Sequence, residues 1–182
     1  MTQSAKTSRP SEPASKQDQT FIISRVFEAP RHLVFAAFTE AERMKHWWGP
    51  KGFTVVKSDM DLRPGGIYHY CLRSPDGALM WGKFVYREIV RPERIVLIDS
   101  FSDEKGGTTR HPMSPGWPPQ MLSVFEFQEE GTNRTRFTVK WSPYEATEAE
   151  AATFNAGMAS MNQGWSGTFE QLAEYLAKEQ GQ

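Results

Sequence analysis

The chain has 182 residues, with 21 basic and 22 acidic side chains; a net charge of −1 leaves no basic footprint for nucleic acid. A single cysteine, Cys71, excludes an internal disulfide and suits a reducing, cytoplasmic setting. Aromatic residues make up 13% of the chain, so a single domain of this length must build one large apolar interior to take them.

Residues 1–19 are rich in Ser, Lys, Gln and Pro and carry almost nothing apolar. They read as a disordered arm, with no apolar stretch of the kind a secretory signal needs. No later run reaches the roughly 18 apolar residues of a membrane span. Residues 20–180 form the expected domain. Thr20–Ala29 is β-branched and aromatic and reads as a strand, stopped by Pro30. Leu33, Val34, Ala37 and Phe38 then give one apolar helical face. Thr39-Glu40-Ala41-Glu42 matches a capping box and predicts a second short helix running to about His46. Next comes "HWWGPKGF", His46–Phe53. Adjacent side chains cannot share a face, so one of Trp47 and Trp48 should plug the core. The other, with Pro50 and Phe53, should form a rim.

A β region follows. Phe53–Leu62, Ile67–Ser74, Ala78–Ile89, Arg94–Ser102, Gln120–Gln128 and Thr135–Pro143 read as strands separated by Gly, Pro and Asp turns. Asp103–Pro119 is Gly- and Pro-rich throughout and predicts a long irregular loop, a length that tends to serve function. At Thr147-Glu148-Ala149-Glu150 a second capping box opens a helical stripe: Phe154, Met158, Met161, Trp165, Phe169, Leu172 and Leu176. One helix of about thirty residues, roughly 45 Å at 1.5 Å per residue, would carry it. The fold class is therefore α+β: a curved antiparallel sheet of six or seven strands gripping a long C-terminal helix, with two short helices after the first strand.

Strand alternation sorts the walls. Met80, Gly82, Phe84 and Tyr86 form the cleaner inward face of their strand; Phe137, Val139 and Trp141 do so on the last one. On Arg94–Ser102, either Ile95, Leu97, Asp99 and Phe101 point in or Val96 and Ile98 do, and an inward Asp99 would need a partner. Asp99 at a solvated strand end is the simpler expectation. On Ile67–Arg73 the pattern leaves both faces open: His69 with Cys71, or Tyr68 with Tyr70 and Leu72. Gly157, Gly164 and Gly167 interrupt the helical stripe, and close packing of backbone is the usual reason for such a glycine.

Four segments, Phe27–Val55, Asp59–Tyr70, Val85–Leu97 and Met161–Leu176, carry a likeness that spans about Phe21 to Lys178. With "HWWGPKGF", "DLRPGG" and the Gly-Trp of the last helix among them, the sequence resembles the START-like, or helix-grip, superfamily of the birch pollen allergen. Within it, the chain resembles the bacterial family related to the C-terminal domain of the heat-shock chaperone ATPase activator. The resemblance implies a deep apolar cavity between sheet and helix. It does not imply one activity, since such proteins include small-molecule binders, polyketide cyclase-like enzymes, lipid carriers and co-chaperone domains.

Residues expected around such a cavity are Trp48, Phe53, His69, Tyr70, Met80, Phe84, Tyr86, Asp99, Met121, Trp141, Met158, Met161 and Trp165. Met113 and Trp117 of the long loop should help frame its entrance. No Gly-x-Ser-x-Gly elbow, no metal-ligand spacing among the four histidines and no phosphate loop occurs, so no cofactor or metal is implied. His69, Tyr70, Asp99 and Glu126 are the weak candidates for acid–base work. The sequence thus favours a binder of a hydrophobic or aromatic small molecule. A cyclase- or hydrolase-type enzyme and a chaperone-linked interaction module are the alternatives. A large apolar patch on the outer face of the sheet would point instead to a partner protein or a homodimer.

Overall fold

Alternating burial along each strand sets the architecture, as in Met121, Ser123, Phe125 and Phe127, which all turn inward from one strand. The structure, a computed structural model, describes residues 20–181; the expected arm over 1–19 lies outside the described residues. The elements are β1 (Phe21–Phe27), α1 (Arg31–Thr39), α2 (Ala41–Met44), β2 (Thr54–Met60), β3 (Ile67–Arg73), β4 (Leu79–Val90), β5 (Arg94–Ser102), β6 (Thr108–Thr109), β7 (Met121–Glu129), β8 (Thr135–Pro143), α3 (Glu148–Ala156) and α4 (Met158–Glu179). The strands form one antiparallel sheet in the order β1-β8-β7-β5-β4-β3-β2, with β6 pairing only to β5. The fold class is the one expected: α+β, two short helices after the first strand and a long C-terminal helix across the sheet.

Three local expectations are corrected. The first capping box does not form. Thr39 is still inside α1, where its hydroxyl donates to the Phe35 carbonyl at 2.9 Å, and Glu40, in extended backbone, caps α2 with no side-chain bond. Glu42 pairs instead with Lys45 at 2.5 Å, and α2 ends at Met44, short of His46. The long helix is two helices, because the chain breaks at Gly157. A Cβ there would stand 2.8 Å from Cζ3 of Trp117, so a glycine is what leaves the ring its place. α4 alone has 22 residues, about 33 Å at 1.5 Å per residue. The loop after β5 is not wholly irregular: it folds back as β6, and Asp103 accepts from the backbone N–H groups of Lys105 and Gly107 at 2.9 and 2.8 Å.

The second capping box is present in full. Thr147 Oγ1 accepts from Glu150 N at 3.3 Å, and Glu150 Oε2 accepts from Thr147 N at 2.9 Å. The helical stripe packs inward as read: Phe154, Met161, Trp165, Phe169, Leu172 and Leu176 are all buried, and Met158 is half-buried. At one end α1 and α2 close the gap between sheet and α4. Phe38 lies at its centre, its ring centroid 4.4 Å from Phe137, 4.7 Å from Trp47 and 5.4 Å from Phe127.

Candidate functional site: a cavity with one carboxylate

The two tryptophans separate as their adjacency demands. Trp47 is buried, and its Nε1 donates to the Ala37 carbonyl at 3.1 Å. Trp48 turns the other way, onto Tyr70, Phe84 and Trp165, with centroids 5.9, 5.4 and 6.1 Å off. The turn that follows needs Gly49, at φ 113°, and α4 holds it: Thr168 and Gln171 both donate to the Gly49 carbonyl.

Beyond Trp48 the sheet and α4 part around a cavity of about 680 Å³. That is within the few hundred to one thousand Å³ typical of small-molecule sites. Its floor is β3, β4, β5, β7 and β8; its roof is α3 and α4; the loop bearing Trp117 closes one side. Exposed residues among its lining, Pro50, Ala156, Ser160 and Gly164, mark where it reaches the surface. Gly164 has nothing within 4 Å of where a Cβ would stand. There the glycine leaves space, whereas Gly157 receives a ring.

Of the residues expected here, Trp48, Tyr70, Met80, Phe84, Asp99, Met121, Trp141, Met161 and Trp165 line the cavity, and so do Pro50 and Trp117. Four lie elsewhere. Phe53 is half-buried in the turn before β2, its N–H bonded to the Pro50 carbonyl at 3.1 Å. His69 is on the outer face of β3, stacked on Trp81 with centroids 5.0 Å apart and bonded to the Asp103 carbonyl at 3.0 Å. Tyr86 is buried in the packed core, its hydroxyl without a partner. Met158, at the start of α4, packs on the core instead. Met113 points to solvent, 87% exposed, so it does not frame the entrance. Glu126 is on the outer face, paired with Lys140 at 2.9 Å.

Of the four acid–base candidates, the cavity therefore keeps only Tyr70 and Asp99. β3 turns its tyrosines inward. Tyr70 lies across β4 at Gly82, where a Cβ would come within 2.4 Å of the phenol oxygen. That glycine is what lets the ring lie there. Asp99 points in from β5 and is not at a solvated end. Its Oδ1 accepts from Ser123 Oγ at 2.6 Å and from Trp141 Nε1 at 2.8 Å. Burial pushes its carboxyl up to about 6, against the pull of those two bonds. Burial also raises the Tyr70 hydroxyl, helped by the nearby Asp99 charge, and lowers His111 at the cavity's loop side. Sequence reasoning did not single out Ser123, and it placed Gly82 on the inward face of its strand without a role. A serine at an inward position between Met121 and Phe125, and a glycine inside a strand, were the available signals.

The loop is tied down over the site. Arg110 bridges to Glu150 at 2.8 Å and to the Pro115 carbonyl at 3.1 Å. Trp117 then reaches Phe154 and Trp141, with centroids 5.5 and 6.3 Å away. Among the described residues no group of three His, Cys, Asp or Glu could hold a metal ion, and no helix is long and apolar enough to cross a membrane.

A curved antiparallel sheet gripping one C-terminal helix over an aromatic cavity defines a helix-grip protein. Residues 28–177 match the family described as Activator of Hsp90 ATPase homolog 1-like protein, and the chain belongs to that family. Its fold suits a ligand-binding or a chaperone-associated domain. Three solved structures illustrate the likeness. A solution structure from Arthrobacter aurescens shares 25% identity over 90% of each chain, with a TM-score of 0.72. A crystal structure from Mycobacterium smegmatis shares 25% over 87% of this chain and 90% of its own, with a TM-score of 0.69. One from Nitrosomonas europaea, at 24% identity, covers 91% of this chain and 99% of its own, with a TM-score of 0.68. No curated protein matches the chain.

Proposed function

We propose that this protein binds a hydrophobic or aromatic small molecule in the cavity between the sheet and α4. One observation carries the reading. A cavity of about 680 Å³ opens behind a wall of Trp48, Phe84, Phe125, Trp141 and Trp165, in a protein whose other end is packed ring against ring. A ligand that carries apolar surface out of water on entering is favoured by roughly 25 cal/mol per Å² of that surface. The lining's acid–base groups are limited to Tyr70, Asp99 and His111, which suits orientation of a guest more than a catalytic relay.

The test uses an uncharged aromatic probe, 2-(1-naphthyl)ethanol, added to protein labelled with ¹⁵N. The indole N–H signals of Trp48, Trp117, Trp141 and Trp165 should shift together and saturate, with Trp47 moving least. Absence of any saturable shift up to millimolar probe would remove the reading.

A further inference from the structure

The cavity has an electrical imbalance. Asp99 is the only Asp, Glu, Lys or Arg among its lining residues. Both donors that hold the carboxylate, Ser123 and Trp141, go to Oδ1. Oδ2 receives no hydrogen bond from any other described residue. From β3 the titratable neighbour is Tyr70, and from the loop it is His111; burial raises the first and lowers the second, so both favour the neutral form. β4, β7, β8 and α4 contribute Phe84, Met121, Ser123, Trp141, Met161 and Trp165, none of which carries charge. An anion largely withdrawn from water with no counter-charge is disfavoured. Apolar surroundings raise its carboxyl only to about 6, so at neutral pH it is still ionised.

The walls complement the missing charge. Trp48 packs on Trp165, Trp165 on Trp141, and Trp141 on Trp117, with centroids 6.1, 6.1 and 6.3 Å apart. Ring faces attract cations, most strongly those of Trp and most of all where water is excluded. Trp141 belongs to both systems: its edge donates to Asp99 while its ring continues the aromatic wall.

We propose that the cavity is selective for a protonated amine on an aromatic or alicyclic frame, with the ammonium donating to Asp99 Oδ2 and the frame among Trp48, Trp117 and Trp165. This rests on the small-molecule reading above and adds the chemical class. The ammonium supplies the counter-charge that the lining lacks, and a neutral guest of the same shape leaves Asp99 uncompensated.

An isosteric pair tests it: 2-(1-naphthyl)ethylamine against 2-(1-naphthyl)ethanol, each titrated calorimetrically at pH 7.5 into wild type and Asp99→Asn. The asparagine oxygen can still accept from Ser123 and Trp141, so the variant keeps the wall and loses the charge. In wild type the amine should bind about ten-fold tighter or more. In Asp99→Asn the two affinities should converge as the amine loses its advantage, and a cooperative urea-unfolding transition verifies that the variant is folded. Equal affinities in wild type, or an amine preference that survives in Asp99→Asn, would overturn the proposal while the binding reading stands. Failure of both probes in wild type would remove both.

Discussion

The two ends of the space between sheet and α4 are built from similar residues and reach opposite results. At the end under α1, Phe38 meets Phe137, Trp47, Phe127 and Phe125 with centroids 4.4 to 5.5 Å apart. At the other end, Trp165 meets Trp48 and Trp141 only at 6.1 Å, around open volume. The helix explains much of the difference. Under α1 it presents Phe169, Leu172 and Leu176; over the cavity its Met161 and Trp165 are interspersed with the small Ser160 and Gly164. The border runs between Trp47 and Trp48. Aromatic content alone therefore does not decide whether a core is filled; what decides is which residues the facing element brings.

That contrast is sharpest in stability. Phe38→Ala removes a ring enclosed on every side and should cost about 3–5 kcal/mol. Trp48→Ala removes a larger ring, part of whose surface faces the cavity, and should cost less, about 1–2 kcal/mol, because no new enclosed void is made. Urea denaturation of both variants measures the difference. Equal losses would mean that the cavity end is packed as tightly as the other.

Asp99 provides the next largest effect, and its sign depends on pH. Its carboxyl titrates at about 6 in the folded protein against an ordinary 3.8. The folded protein thus keeps a proton that the unfolded chain has already released. Stability falls as pH rises through that window, and the loss is complete above the folded-state value. A shift of about two units corresponds to about 3 kcal/mol. Asp99→Asn escapes the penalty, though an amide accepts its two hydrogen bonds less strongly than a carboxylate. The variant should therefore be about 1–3 kcal/mol more stable than wild type at pH 8, with the advantage gone near pH 4. An advantage of the same size at both pH values would mean that Asp99 carries no buried charge.

Much of this was legible in the sequence because period and burial agree. The spacing of Met161, Trp165, Phe169 and Leu172 fixed the buried face of α4, and the inward sets on β4 and β8 followed from alternation. Where two faces were equally apolar, the pattern was silent. β5 reads as well with Asp99 out as in, and the Ser123 that meets it inside comes from β7, a neighbour in the sheet but distant in the chain, where no local pattern could show it. Capping boxes show the same limit. Thr39 and Thr147 have the same motif, yet only Thr147 follows non-helical backbone, so only there is the hydroxyl free to cap. His69 was placed at the cavity because residue type suggested it, and Tyr86 because it shares the inward face of its strand. Strand direction put one outside the sheet and position along β4 put the other in the packed core.

The smallest expected effect separates the two glycines that bound the cavity on the helical side. Each lies where a side chain is missing, but for different reasons. At Gly157 a Cβ would meet Trp117 at 2.8 Å, so Gly157→Ala must push that ring away from Phe154 and Trp141. At Gly164 a Cβ meets nothing within 4 Å, so Gly164→Ala keeps every contact and gains helix propensity of about 0.5–1 kcal/mol. Thermal unfolding should then place the two alanine variants on opposite sides of wild type. If Gly164→Ala were destabilising, something must occupy the space beside it, and the open side of the cavity would have to be sought elsewhere along α4.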